Sequence, residues 1–173
     1  MRVAEASDFA AVARLQSDVV RWLATRGLDQ WQSVESNDRQ TPERMQKRIA
    51  DAIGRGECFV LTDDSRIVAT VIIDELADPE FWQDEDDPGD ALYVHRMIVS
   101  RNYAGRGIGE NLVDFALRLA RKRGKKWLRL DAWRTNPALH EYYRQLGFDH
   151  VRTVSLPHRG SGALFQRHAG DSG

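Results

Sequence analysis

The stretch LYVHRMIVSRNYAGRGIGENLVDFALRLA, Leu92 to Ala120, decides the fold. Its opening, Leu92 to Val99, is apolar or β-favouring and predicts a strand. Ser100 to Gly107 is a short polar loop that closes on alternating glycines. Ile108, Leu112, Phe115 and Leu119 then recur at helical spacing, so an amphipathic helix begins at the glycines. A strand that runs through glycines into a helix N-terminus is a ready anion site. The first N–H groups of a helix have no internal partner, and the helix dipole adds positive charge beside them. Glycine lets a phosphate approach those groups with no Cβ in the way.

The glycine spacing separates the kinds of phosphate site. Gly105, Gly107 and Gly109 give G-x-G-x-G. A P-loop needs four residues between its glycines and then Gly-Lys-Ser/Thr, and both features are missing. The dinucleotide fingerprint G-x-G-x-x-G fails as well, because Gly109 comes one residue early and Glu110 stands where the third glycine belongs. The run AGRGIG resembles instead the pyrophosphate loop of the GNAT superfamily of acyl-CoA-dependent N-acyltransferases. That family's pattern is Q/R-x-x-G-x-G/A after a strand with an apolar last residue, here Val99. The sequence departs from it at Ala104, which holds the Q/R position. Backbone N–H groups do most of the holding in this family, so the resemblance implies reduced side-chain help rather than lost binding.

Composition fits that setting. A chain of 173 residues suits one domain, 1–173, with a substantial core. The apolar fraction of 42% and charged fraction of 29% are ordinary for a globular protein. The net charge of −1 gives no argument for nucleic acid or a membrane surface. Cys58 is the sole cysteine, so no internal disulfide forms. No apolar run is long enough for a bilayer span, and the start shows no signal-peptide core. A cytoplasmic protein is the expectation.

The rest of the chain supplies a mixed α/β order. Arg2 to Glu5 reads as a short edge strand. Ser7 or Asp8 is positioned to cap a helix carrying Phe9, Val12, Leu15, Val19 and Leu23, stopped at Gly27. Thr41-Pro42 opens a second helix. Cys58 to Leu61 and Arg66 to Asp74 read as a hairpin about Asp63, Asp64 and Ser65. Ala77 to Asp90 is an acidic loop. After the central helix, the basic run Arg121 to Lys126 is best read as cations at a helix C-terminus with Gly124 as its stop. Trp127 to Trp133 is a strand, Thr135-Asn136-Pro137 opens a helix ending at Gly147, and Val151 to Leu156 and Gly162 to Gln166 are the last strands. The tail from His168 is expected to fray. The order is that of the GNAT fold, which implies a central mixed sheet of about six to seven strands with a splayed strand pair, flanked by about four helices.

A second stretch carries the same resemblance. LRLDAWRTNPALHEYYRQLGF, Leu128 to Phe148, is similar to the family's other half-motif, with Asn136, Tyr143, Gly147 and Phe148 at its spacing. The resemblance implies an acetyl-CoA donor. Met97, Ile98 and Val99 would hold the pantetheine arm by backbone, as an added strand. The N–H groups of Gly105, Arg106, Gly107, Ile108, Gly109 and Glu110 would take the pyrophosphate. Asn136 would reach the arm from the second strand. Tyr143 stands at the general-acid position. Within the first strand, alternation puts Tyr93, His95, Met97 and Val99 on one face. His95 is a candidate base there, since a histidine exchanges protons near neutral pH. Asp131 and a water chain are the alternatives. The histidines show no metal-ligand spacing, so no metal is expected.

The implied reaction is transfer of an acetyl group to a primary amine of a small molecule or peptide. A longer acyl chain and a catalytically weak acyl-CoA sensor are the competing readings; a nucleic-acid module built on Arg121 to Lys126 is a third class. The acceptor is not written in the sequence. Its pocket is expected from Leu28 to Arg39 and from the acidic loop, which could draw a cationic amine past Trp31 or Trp82. A homodimer is left open.

Overall fold

The computed structural model describes residues 1–31 and 41–170. Seven strands form one mixed sheet: β1 (Arg2–Val3), β2 (Cys58–Asp63), β3 (Arg66–Asp74), β4 (Ala91–Val99), β5 (Trp127–Trp133), β6 (Asp149–Thr153) and β7 (Ser161–His168). Their order across the sheet is β1-β2-β3-β4-β5-β7-β6. The α-helices among the described residues are α1 (Phe9–Thr25), α2 (Pro42–Gly54), α3 (Ile108–Lys122) and α4 (Pro137–Gln145). This is the expected mixed α/β class. None of these helices is long and apolar enough to cross a membrane. The chain groups into two compact units, Met1–Ile72 with Arg96–Gly109, and Ile73–His95 with Glu110–Gly173.

In the first unit β1, β2 and β3 are antiparallel neighbours. Asp64 and Ser65 both sit at positive φ, 44° and 66°, which gives a two-residue turn whose twist matches the strands it joins. The Thr41 hydroxyl accepts from the Arg44 N–H, and Pro42 fills the first turn of α2, as the sequence predicts. Met45, Ile49 and Ala52 form its buried stripe. Ile49 and Ala52 join Val12, Cys58, Val60 and Ile72 in one apolar cluster. The start of α1 differs from expectation. The Asp8 carboxylate accepts from the Glu5 N–H at 2.8 Å and pairs with Arg2, so it closes a 3₁₀ turn, Ala6–Asp8, instead of capping α1.

In the second unit β4 runs parallel to β5, and β7 lies antiparallel between β5 and β6. The acidic loop before β4 is not a solvated strap. Phe81 and Trp82 are buried with Ala91, Tyr93 and Leu164. Arg152 donates to the Phe81 carbonyl at 2.7 Å, and Arg129 to the Asp86 carbonyl at 2.6 Å. Arg159 bridges Asp78 and Glu80, each at 2.6 Å. Phe81 and Trp82 are therefore turned inward while Asp78, Glu80 and Asp86 are paired with arginines, which the charge pattern alone conceals.

The basic run behaves as a helix stop. Gly124 sits at φ 67°, Arg121 donates to the Ala169 carbonyl at 2.7 Å, and Lys125 donates to the Gly89 carbonyl at 2.8 Å. The chain end is tied down further than expected. β7 includes His168, and the buried Ala169 donates its N–H to Lys126 at 2.8 Å. β6 begins at Asp149, earlier than the apolar pattern indicates, because its first residues pair with β7 while staying exposed.

Close packing fixes the end of β5. A Cβ built on Gly160 would lie 2.1 Å from the Trp133 ring, so only glycine fits there. Gly160→Ala should cost roughly 1–3 kcal/mol of stability, the usual penalty of overpacking. Gly54→Ala, where a Cβ meets nothing within 4 Å, should hold or gain stability. Urea unfolding of the two variants checks the contrast; equal midpoints would show that the Trp133 ring yields.

Candidate active site

The glycine loop is built within the first unit. Its run-in is fixed by several contacts. The Ser100 N–H donates to the Val68 carbonyl at 2.8 Å, and the Tyr103 hydroxyl to Asp63 at 2.7 Å. The Arg101 guanidinium lies 3.8 Å from the Trp22 ring centre, and Arg106 lies 4.8 Å from that of Tyr103. From that anchored start, residues 104–107 are exposed. Gly105 and Gly107 take φ values of 76° and 70°. These two glycines are required by backbone conformation, which L side chains adopt only at a cost. Gly109 lacks positive φ and lies inside the first turn of α3. A Cβ built on Gly105 would meet nothing within 4 Å, so the loop is open to a ligand. An exposed loop with left-handed residues entering a helix aims consecutive N–H groups outward, which suits a phosphate group. The residues present therefore fit the acyl donor's pyrophosphate, with Ala104 adding only its backbone.

β4 carries a feature that its sequence hides. Arg96 sits at φ 48°, a left-handed residue inside a strand. That kink resets the pleat, so strict alternation does not run through the strand as expected. Ala91, Leu92, Tyr93 and Val94 are all buried, His95, Arg96 and Met97 are half-buried, and Ile98 is buried again. Tyr93 and His95 precede Arg96, and Met97 and Val99 follow it. Met97, Ile98 and Val99 nevertheless lie in the last turnless stretch before the glycine loop, as an extended segment.

The second unit holds the other candidates. The β4–β5 register runs through three pairs, Ala91 with Trp127, Leu92 with Leu128 and Tyr93 with Arg129. β5 continues to Trp133 against β7. Asn136 caps α4, its side-chain oxygen accepting from the Leu139 N–H at 3.1 Å. Tyr143 is 8% exposed and packs against Phe148 and Phe165, with ring centres 5.7 and 5.9 Å away. Burial pushes its phenol well above the usual range, with Tyr142 and Asp131 adding to the shift. A phenol in this setting keeps its proton at neutral pH, which a proton donor requires.

His95 has a partner that the sequence did not signal. Its Nε2 lies 3.2 Å from Asp74 Oδ1. The same Asp74 oxygen accepts from the Leu76 N–H at 3.0 Å, which holds the carboxylate in place. A carboxylate on Nε2 favours the tautomer protonated there. Asp131, the alternative base, is close enough to feel His95. Burial pushes the Asp131 carboxyl up, while His95 and a hydrogen bond with Ser161 hold it back. The acceptor walls named from sequence fare differently. Trp82 is 3% exposed and belongs to the core. Trp31 is half-buried, and residues 32–39 of the expected acceptor loop lie outside the described residues. Among the described residues no group of His, Cys, Asp or Glu is arranged to hold a metal ion.

If the loop's backbone holds the pyrophosphate, Gly107→Pro removes one N–H and forces φ from 70° toward −65°. Calorimetric titration should then show acetyl-CoA affinity lost in a folded variant. Unchanged affinity would place the donor elsewhere.

Comparison with known proteins agrees with this geometry. A model of the acetyltransferase (GNAT) family matches residues 20–148. An uncharacterised N-acetyltransferase of Bacillus subtilis, YesJ, is 29% identical over 147 residues, covering 82% of this chain and 77% of that protein. A GNAT-family acetyltransferase of Listeria monocytogenes superposes with a TM-score of 0.75 at 24% identity, covering 96% of this chain and 92% of that one. The PaiA N-acetyltransferase of Thermoplasma acidophilum, solved with coenzyme A, superposes with a TM-score of 0.68 at 15% identity, covering 96% of both chains. The glycine loop after β4, the Asn136-to-Phe148 half-motif and the family match lead to one conclusion: the chain belongs to the GNAT family of acetyltransferases.

Proposed function

We propose that the chain works as a single acetyl-CoA-dependent N-acetyltransferase domain, 1–173, in the cytoplasm, moving an acetyl group to a primary amine of a small molecule or peptide. The observation that carries this reading is the exposed loop at Gly105 and Gly107 entering α3. Coenzyme A bound to the PaiA relative supports the same class of donor. Met97, Ile98 and Val99 hold the pantetheine arm by backbone, Gly105, Arg106, Gly107, Ile108, Gly109 and Glu110 offer N–H groups to the pyrophosphate, and Asn136 reaches the arm from the second strand. The donor supplies an activated thioester carbonyl.

The chain's side chains move the protons. The amine nitrogen forms its bond to the carbonyl carbon as the carbon–sulfur bond breaks. His95, set by Asp74, takes the proton that the nitrogen gives up. Tyr143 gives its proton to the departing sulfur. Asp74 is a positioning residue, since it acts through His95. Ala104 in the loop keeps one second reading in play, an acyl-CoA sensor with weak turnover; amine-dependent release of free thiol from acetyl-CoA supports the enzyme, and binding without release across a broad amine panel supports the sensor.

Two sets of variants test the roles. Tyr143→Phe keeps the ring and its packing. Its kcat should fall ~10²–10⁴-fold, roughly 3–5 kcal/mol of barrier, with acetyl-CoA affinity nearly unchanged. Tyr142→Phe, changed on the neighbouring exposed ring, should keep kcat. Wild-type kcat in Tyr143→Phe, measured where chemistry limits the rate, would return that residue to the core. For the base, kcat/KM should rise with pH along one acid limb. A carboxylate beside a histidine favours its charged form. His95→Gln should abolish that limb, and Asp74→Asn, which removes the carboxylate that orients His95, should lower kcat/KM. A limb that survives His95→Gln and vanishes in Asp131→Asn would assign the base to Asp131.

A further inference from the structure

The proton steps proposed above leave one carboxyl of the second unit, Asp131, without a task. Asp131 lies on β5 two residues past Arg129, and His95 lies on β4 two residues past Tyr93. Tyr93 and Arg129 form the last of the three parallel β4–β5 pairs. His95 and Asp131 therefore stand at matching positions on the two strands, where the pairing stops. Alternation puts each on the same face as the residue two before it. Contacts identify that face. The Tyr93 ring centre lies 6.0 Å from that of Trp82, and the Arg129 guanidinium lies 4.6 Å from the Trp82 ring centre. Leu164, the partner of Asp131 on β7, joins Trp82 and Tyr93 in one apolar cluster. Tyr143 belongs to the other face. It packs against Phe165, the next residue of β7, whose side chain points opposite to that of Leu164.

The surroundings of Asp131 suit a cation. The residue is half-buried, so its carboxyl stays within reach, and the His95 side chain keeps 30% of its exposure. The titratable and charged groups that act on Asp131 are His95 of β4, Tyr143 of α4, Asp78 of the acidic loop and Arg159 of the turn before β7. Ser161 is its hydrogen-bonding neighbour, and among the described residues no side chain forms an ion pair with it. Arg159 is already held by Asp78 and Glu80, each at 2.6 Å. Burial pushes the Asp131 carboxyl up, and a cation seated against it offsets that penalty. The arginines nearby are neutralised by the chain's own carboxylates, whereas Asp131 is left for a cation that the chain does not supply.

We propose that Asp131 seats the acceptor's nitrogen as an ammonium ion beside His95, so that the amines acetylated are alkylamines, cationic at neutral pH, rather than weakly basic amines that are neutral there. This rests on the N-acetyltransferase reading above. Asp131 acts on binding and forms no covalent bond. The ion pair brings the nitrogen to His95, the base that bares its lone pair, on the face of the sheet opposite to the phenol of Tyr143. Asp131 is thereby a specificity-determining residue, since an amine without a positive charge gains nothing from it.

The test uses acceptors matched in shape, alkylamines against alkoxyamines of the same length, from ethylamine with methoxyamine upward. The alkylamine of each pair is a cation at neutral pH and the alkoxyamine is neutral. Thiol release from acetyl-CoA is the readout. The wild-type protein should show the lower KM for the alkylamine. Asp131→Asn keeps the side chain's shape and an oxygen for Ser161. It should raise the alkylamine KM roughly 10-fold or more, with kcat kept and the alkoxyamine KM nearly unmoved. Asp131→Glu should recover part of the loss. Should Asp131→Asn not fold, Ser161→Ala, which frees the carboxyl from its neighbour, should raise the alkylamine KM alone, and an unmoved KM there would count against the seat. A second arm needs no turnover: calorimetry of N,N-dimethylalkylamines, cations that form no stable amide, whose affinity should fall with salt and be lost in Asp131→Asn. Equal KM values for the two amine types in the wild-type protein would overturn the cation seat and leave the acetyltransferase reading standing. A fall in kcat with KM unchanged in Asp131→Asn would also overturn it, by giving the residue the base's role, and so would loss of acetyl-CoA affinity, which would assign it to the donor. Absent thiol release with every amine, beside Asp131-dependent binding of the N,N-dimethylalkylamines, would sink the enzymatic reading while sustaining the cation seat.

Discussion

The left-handed backbone of Arg96 is the constraint on which the site depends. A strand tolerates such a residue only where the surrounding structure over-determines it. Here it divides β4 into two stretches with different tasks. Before it, Ala91 to Val94 are buried and Ala91, Leu92 and Tyr93 pair with β5. After it, Met97 to Val99 lead straight into the anchored glycine loop. The candidate base, His95, precedes this residue, and the backbone proposed for the donor's arm follows it.

The two units use different physics. In the first, main-chain groups do most of the proposed binding: Gly105 and Gly107 adopt positive φ, and the loop's position is secured by Trp22, Asp63 and Val68. In the second, side chains are proposed to move the protons: His95 beside Asp74, and a phenol at Tyr143 whose pKa burial raises. The proposed backbone-built donor site accounts for an alanine at position 104, where the resembling family carries a long polar side chain. Backbone N–H groups do not depend on the identity of that residue.

Much of this was legible in the sequence because short-range rules wrote it. Thr41-Pro42, the Asp64–Ser65 turn, Gly124 after α3 and the glycine loop each declare themselves within a few residues. The failures are long-range. Trp82 looked like an exposed aromatic among carboxylates, yet it is drawn inward by Tyr93 and Leu164 while Asp86 is met by Arg152, sixty-six residues away. Asp74 stands twenty-one residues before His95, and no periodicity links them. The kink at Arg96 carries no glycine or proline to announce it, so alternation was read straight through. The end of the chain was read as loose, whereas Ala169 reaches back to Lys126.

The central claim is that backbone, more than side chains, holds the acyl donor, and amide hydrogen exchange read residue by residue with and without acetyl-CoA tests it most directly. The account predicts that the donor slows exchange at residues 105–110 and at Met97, Ile98 and Val99, and leaves the Asp84–Asp86 segment unchanged. Protection that appears on binding but bypasses the glycine loop would contradict it.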